Sequence, residues 1–182
     1  MTEQALMLGV NYWPQKTAMF MWREFDKAVM DQDVEIISGL GLSFIRIYLL
    51  WEDFQPTPKT VPAIMLDRLV ELLETADEKN IKVVVTLFAG HICGLNWLPP
   101  WMLLASADRN QSQVFSLGKV RFNRIRNPYA EPDIMESQIY FLGSWQTLYL
   151  GTLPFYVGIW AMNLHGGLLL QTTLQLKFGC KR

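Results

Sequence analysis

Two side chains suited to handling charge or protons fall at telling places. Arg46 lies between Ile45 and Ile47 in an apolar run, Phe44–Leu50, and His91 follows a second such run, Lys82–Phe88. A cation in a buried strand must be paired, either with a structural partner or with a carboxylate in a site. His91 serves a site or ties down its own loop. Around these two the sequence gathers Asn11, Tyr12 and Trp13, then Tyr48, Trp51 and Phe54, then Asn96, Trp97 and Trp101. A ligand with flat apolar faces ringed by hydroxyls, as a sugar has, needs aromatic platforms beside polar donors, and this set supplies both. Tyr12, Trp13 and Trp51 suit plugs of a barrel interior equally well. Trp97 and Trp101, in a Pro-rich stretch, suit a cleft wall. Glu52 and Asp53 have the chemistry of a catalytic pair, but their position is that of caps on the turn that follows.

The elements that must position these residues alternate. Leu6–Asn11 reads as a short buried strand running into Tyr12-Trp13-Pro14. Phe25–Leu40 carries Val29, Ile36, Ile37 and Leu40 as a helical stripe closed by Gly41. Phe44–Leu50 is β-branched and apolar on both faces, as a buried parallel strand requires. Pro62 opens a helix with Met65, Leu69, Leu72, Leu73 and Ala76 on one face and Asp67, Arg68, Glu71, Glu74, Asp77 and Glu78 on the other. Lys82–Phe88 is a third strand and a long aromatic loop follows it. Pro132 then begins a third amphipathic helix, with Met135, Ile139 and Leu142 along its stripe. Strand–helix alternation of this kind predicts an α/β fold with a parallel sheet and right-handed crossovers. No glycine-rich phosphate loop follows the first strand, which favours a (β/α)₈ barrel over a nucleotide-binding sheet. In such barrels chemistry sits at the C-terminal strand ends, where Asn11, Tyr12, Trp13, Tyr48, Trp51 and His91 fall.

Bulk properties narrow the choice. The 182 residues fit one domain but fall short of a whole barrel, which takes roughly 250. A net charge of −1 points neither to nucleic acid nor to an anionic membrane surface. The two cysteines, Cys93 and Cys180, are too few and too far apart for a disulfide framework or a zinc cluster. No metal or cofactor motif is present. Met1–Leu8 lacks the basic and apolar regions of a signal peptide, so a cytoplasmic location is the expectation.

The motifs Gly9–Pro14 (G-V-N-Y-W-P), Ile45–Pro56 (I-R-I-Y-L-L-W-E-D-F-Q-P) and Val85–Trp101 (V-T-L-F-A-G-H-I-C-G-L-N-W-L-P-P-W) resemble the cellulase and mannanase type of clan A glycoside hydrolases, family 5 and its relatives. The resemblance runs from Leu8 to about Leu142. It implies the first three β/α units of a TIM barrel, an oligo- or polysaccharide substrate, and retaining hydrolysis of β-linked glucans, mannans or related glycosides. It also implies that Arg46 supports the nucleophile and that His91 lines the subsite at the scissile bond. Two Glu about 5 Å apart do the chemistry in that family. One ends strand four in an Asn-Glu pair and the other ends strand seven. Neither motif is in this chain.

The composition breaks where strand four is due. All seventeen Asp and Glu precede Gly143, and the last forty residues hold half of the twelve glycines. Codons begun one base earlier than the present ones restore sense. Trp160 followed by Ala161 then forces a glycine, and Met162 followed by Asn163 forces a glutamate, with asparagine allowed between them. Permitted third bases turn Gly151–Leu164 into R-N-P-S-I-L-C-W-D-L-G-N-E-P, which is similar to the family's strand four. The expectation is therefore a family segment over 1–142 and a frameshifted tail over 143–182. A membrane anchor competes for the tail, since Trp145–Leu176 carries no formal charge. Pro154, Gly158, Asn163, His165, Gly166 and Gly167 argue against a spanning helix. Three strands cannot close a barrel, and strands one and three would be left with open edges. Poor stability, no turnover, and at most residual sugar binding through Trp97 and Trp101 are the expected consequences.

Overall fold

A computed structural model describes residues 7–105, 111–149, 156–160 and 171–172. Parallel strands β1 (Gly9–Asn11), β2 (Phe44–Leu50) and β3 (Lys82–Ala89) lie side by side. They are joined through α1 (Lys27–Gly39), the short α2 (Trp51–Phe54) and α3 (Ala63–Glu78). Asp26 caps α1 by accepting a hydrogen bond from the Val29 amide at 3.2 Å, and Gly41, at φ +74, turns the chain out of the helix. The register pairs Asn11 with Arg46 and Arg46 with Val84, then Tyr48 with Thr86. Partners across a parallel sheet share a face. One face of β2 and β3, carrying Ile45, Ile47, Leu49, Val83, Val85 and Leu87, is therefore buried under the helices. Each such side chain contributes about 1.5–3 kcal/mol on burial. The opposite face, with Phe44, Arg46, Tyr48, Val84 and Phe88, is half open.

Several expected faces are rotated. In α1 the buried residues are Met30, Val34 and Ile37, and Ile36 is 53% exposed. In α4 (Pro132–Tyr149) Ile134, Ser137 and Phe141 face inward, while Met135 and Ile139 look outward. Both helices hold two overlapping stripes, Met30/Val34/Ile37 beside Val29/Ile36/Leu40 in α1 and Ile134/Ser137/Phe141 beside Met135/Ile139/Leu142 in α4, and the sheet beneath selects the one that packs. Strand one is likewise not buried. Leu8 and Val10 are exposed because β1 is the outer edge of the sheet.

The long loop after strand three is structured. β4 (His91–Ile92), β5 (Leu95–Trp97), β6 (Leu103–Leu104), β7 (Ser112–Ser116) and β8 (Lys119–Ile125) form a second sheet in the order β4-β5-β7-β8-β6. Strand three is not an edge either. β9 (Tyr156–Trp160) pairs with it in parallel from Val84↔Tyr156 to Leu87↔Ile159, and β10 (Gln171–Thr172) pairs antiparallel with β9. Tyr-Val-Gly-Ile-Trp is rich in strand-forming types, which suits it to that edge. α4 runs without a break across the expected boundary at 142/143. Among the described residues no helix is long and apolar enough to cross a membrane, and most of Trp145–Leu176 lies outside them.

Gly9 tests the β1–β2 contact. A Cβ there would lie 2.4 Å from the Phe44 carbonyl oxygen and 2.6 Å from its ring. Gly9→Ala is expected to lower stability by about 1–3 kcal/mol through overpacking, read as a lower urea midpoint. An unchanged midpoint would mean that β1 does not dock as described.

Candidate functional site

Arg46 projects from the half-open face of β2. Its Nε donates to Thr86 Oγ1 at 2.8 Å, and its guanidinium carbon lies 4.7 Å from the Tyr48 ring centroid. Burial lowers the Arg46 pKa from its ordinary value, with Tyr48 opposing. Burial also raises the Tyr48 hydroxyl, with Arg46 opposing. Trp13 lies against Tyr48 with ring centroids 4.9 Å apart and planes at 33°. Asn11 and Arg46 in one register, with Tyr48 and Thr86 one step along, thus form a polar row, interrupted at Val84 and flanked by an aromatic platform. Thr86 was not singled out in the sequence. The register of the two strands is the signal that would have found it.

The end of strand three adds His91, half-buried, with Nδ1 2.9 Å from Asn96 Oδ1. Trp97 follows on β5. Its Nε1 donates to the Ile92 carbonyl oxygen at 3.2 Å, and its ring packs on Phe115 and Phe20 at 4.5 and 5.8 Å. Trp13, Tyr48 and Trp97 all border the small cluster of Leu50, Ala89 and Ile92. The fold therefore brings together Asn11, Trp13, Arg46, Tyr48, His91, Asn96 and Trp97.

Three expected site residues lie elsewhere. Tyr12 is buried against α1, and its hydroxyl donates to Asp33 Oδ2 at 3.1 Å. Its pKa is raised by burial and by Asp33. The strand alternation that turns Asn11 to one face sends Tyr12 to the other. Trp51, only 4% exposed, belongs to a second core with Leu98, Met102, Val114 and Ile134, and its Nε1 donates to Gln55 Oε1 at 2.8 Å. Trp101 is partly buried against that core, edge-on to Trp51 at 5.5 Å, with Nε1 donating to the Gln55 carbonyl oxygen at 3.1 Å. Helix α2 begins at Trp51 and turns its ring under the second sheet. These two tryptophans join the sheets and form no part of the Trp13–Tyr48 platform.

Rather than capping the turn that follows them, Glu52 and Asp53 are buried partners of Arg23. Arg23 Nε donates to Asp53 Oδ1 at 2.5 Å, and its Nη2 lies 3.3 Å from Glu52 Oε1. Glu52 Oε1 also accepts from the Leu117 amide at 2.9 Å. Leu117 (φ +50) and Gly118 (φ +74) form the two-residue turn of the β7–β8 hairpin, where paired positive φ values match the twist of the strands. A leucine is strained there, and the carboxylate holds it. Asp53 is pushed up to about 6 by burial, which outweighs the opposing pull of Arg23. A folded-state value above the ordinary 3.8 means that the folded state holds the proton more tightly. That contribution to stability is full below about pH 4 and is lost as pH rises through about 6. Asp53→Asn should therefore gain stability relative to the parent between about pH 4 and about pH 7, measured by urea titration. Parallel pH profiles would contradict this.

The polar row and platform suit a polyhydroxylated ring, with donors at its edge and aromatic surface at its face. Along the row Asn11, Arg46, Tyr48, Val84 and Thr86 provide no carboxylate, and among the described residues no group of His, Cys, Asp or Glu is arranged to hold a metal ion.

Solved structures of the same architecture are glycoside hydrolases. A GH5_18 enzyme from Streptomyces cattleya, in complex with Manβ1-4GlcNAc, superposes with a TM-score of 0.68 at 24% identity, over 86% of this chain and 33% of its own. An exo-β-1,4-mannosidase from Opitutaceae bacterium strain TAV5 gives 0.62 at 25% identity, over 78% of this chain and 22% of its own. A GH5_18 enzyme from Bifidobacterium longum subsp. longum, also with Manβ1-4GlcNAc, gives 0.64 at 21%, over 79% and 30%. No protein-family model matches the sequence, and no curated protein matches it. The chain spans between about a fifth and a third of the length of the solved structures it resembles, and its fold is that of part of a family 5-like TIM barrel.

Proposed function

We propose that this chain is the front part of a retaining β-glycosidase of the family 5 type, with β-mannosides as its substrate class. We further propose that a slipped reading phase near Leu142 leaves it unable to hydrolyse them. The observation that carries the family 5 reading is the parallel sheet β1–β2–β3 with Arg46, Tyr48 and Thr86 on its open face, continued by Tyr156–Trp160 beside β3. That strand occupies the fourth position of the sheet, where an acid/base carboxylate is needed. The out-of-phase codons at Trp160–Asn163 encode Gly and Glu immediately after it. The open face of β2 and β3 supports a sugar site through Arg46, Tyr48 and Trp13. The choice of mannoside follows from the ligands and activity of the structural neighbours.

In this reading Arg46 holds the nucleophilic carboxylate in its ionised state, and His91 binds a hydroxyl at the cleavage point. The aromatic platform takes the apolar face of the ring. Retaining chemistry needs two carboxyls about 5 Å apart, and this chain supplies neither. The expected result is no turnover of an aryl β-mannoside by the purified 182-residue chain. Measurable hydrolysis would overturn the assignment of inactivity, and coding DNA with an intact family reading in the present phase would overturn the slippage.

A further inference from the structure

Asn96 sits in a chain of hydrogen bonds whose directions are forced. Its Nδ2 lies 2.9 Å from the Gln113 backbone oxygen, which can only accept. The amide must therefore turn its own oxygen the other way, to 2.9 Å from His91 Nδ1. That oxygen also only accepts, so the proton between them belongs to Nδ1. A neutral imidazole carries one ring proton, which leaves Nε2 as an acceptor. The backbone holds this arrangement in place. His91 pairs with Asn96 across β4–β5, and Asn96 pairs with Val114 across β5–β7. Cys93 (φ +54) and Gly94 (φ +78) close the tight turn that sets the first pairing.

We propose that Asn96 is a positioning residue and not a sugar contact: anchored by the Gln113 carbonyl, it fixes His91 in the Nδ1–H form. Nε2 then meets a ligand hydroxyl as acceptor and never, while neutral, as donor. The identity of that ligand rests on the glycosidase reading; the tautomer does not.

The test uses the full chain labelled with nitrogen-15 histidine, carrying His165→Gln so that one imidazole remains. At about pH 8 a free imidazole is neutral, and two-bond proton–nitrogen correlations distinguish protonated from bare ring nitrogens. The expected spectrum has a protonated Nδ1 and a bare Nε2. Asn96→Ala should shift the pattern towards a mixture of both forms, whereas Gln113→Ala, which keeps the backbone carbonyl, should leave it unchanged. A bare Nδ1 in the parent chain overturns the proposal, whether or not the Asn96 variant folds. So does an unaltered tautomer in a folded Asn96→Ala. Failure of the glycosidase reading would leave these nitrogen signals as they are, so the two claims fail separately.

Discussion

On the proposed reading, a single base inserted at the Leu142–Gly143 junction is expected to yield an active β-glycosidase. The insertion leaves every residue up to Leu142 unchanged and restores the phase in which Gly and Glu follow the fourth strand. What the present chain lacks is specific. Its open face and the end of strand three offer a cation, an imidazole, hydroxyl groups and an aromatic platform, which suit a sugar ring. Breaking a glycosidic bond also requires a proton for the leaving oxygen and an attacking carboxylate on the opposite side. Glu52 and Asp53 cannot stand in, because both are buried against Arg23 and the Leu117 turn. The restored, longer product should hydrolyse an aryl β-mannoside at a rate ordinary for an enzyme, on the order of 1–10³ per second. Replacing the recovered glutamate by glutamine should then cost about 10²–10⁴-fold, the usual contribution of a general acid. An early stop codon in the restored phase, or a full-length product without activity, would sink the proposal.

Much of this arrangement was legible in the sequence because the three strands are long, apolar and flanked by turn residues. Arg46 announced itself by interrupting such a run, and the structure accounts for it through Thr86 and Tyr48. The second sheet escaped notice because β4, β5 and β6 have two or three residues each, too few to show a period. Its hairpin did leave a signal: Ser112–Ile125 brackets Leu117-Gly118, a two-residue glycine turn between two strand-like runs. Tyr12 and Trp51 were misplaced for a different reason. Nearness to a strand end does not say which face a side chain takes, and one residue of alternation decides between cleft and core. Arg23, which sequence reading left aside, pairs with two acids nearly thirty residues away, and only the folded chain brings them together.

Trp22→Ala is expected to abolish cooperative folding. Trp22 is fully buried in the main core, edge-on to Phe54 at 5.1 Å and stacked on Phe25. Its Nε1 donates to the Tyr48 carbonyl oxygen at 2.7 Å, and Arg68 Nη1 donates to the Trp22 carbonyl oxygen. The residue therefore ties the loop before α1 to β2, beside the row that carries Arg46. Truncation removes the ring, leaves a cavity and strips the Tyr48 carbonyl of its donor. The first two effects together cost about 3–5 kcal/mol, and the orphaned carbonyl costs about 1–3 kcal/mol if it stays dry. Whole domains are stable by only about 5–15 kcal/mol, and this sheet keeps an exposed edge at β1. The variant should show no unfolding transition in urea at 25 °C. Ile36→Ala supplies the contrast. The helical stripe read from sequence puts Ile36 in the core, where the same truncation would cost about 2–5 kcal/mol. The fold leaves it outside, so the change should stay within about 0.5 kcal/mol. A large loss at Ile36 with a small one at Trp22 would mean that α1 packs by its other face, and the position of Arg46 above it would then have to be rebuilt.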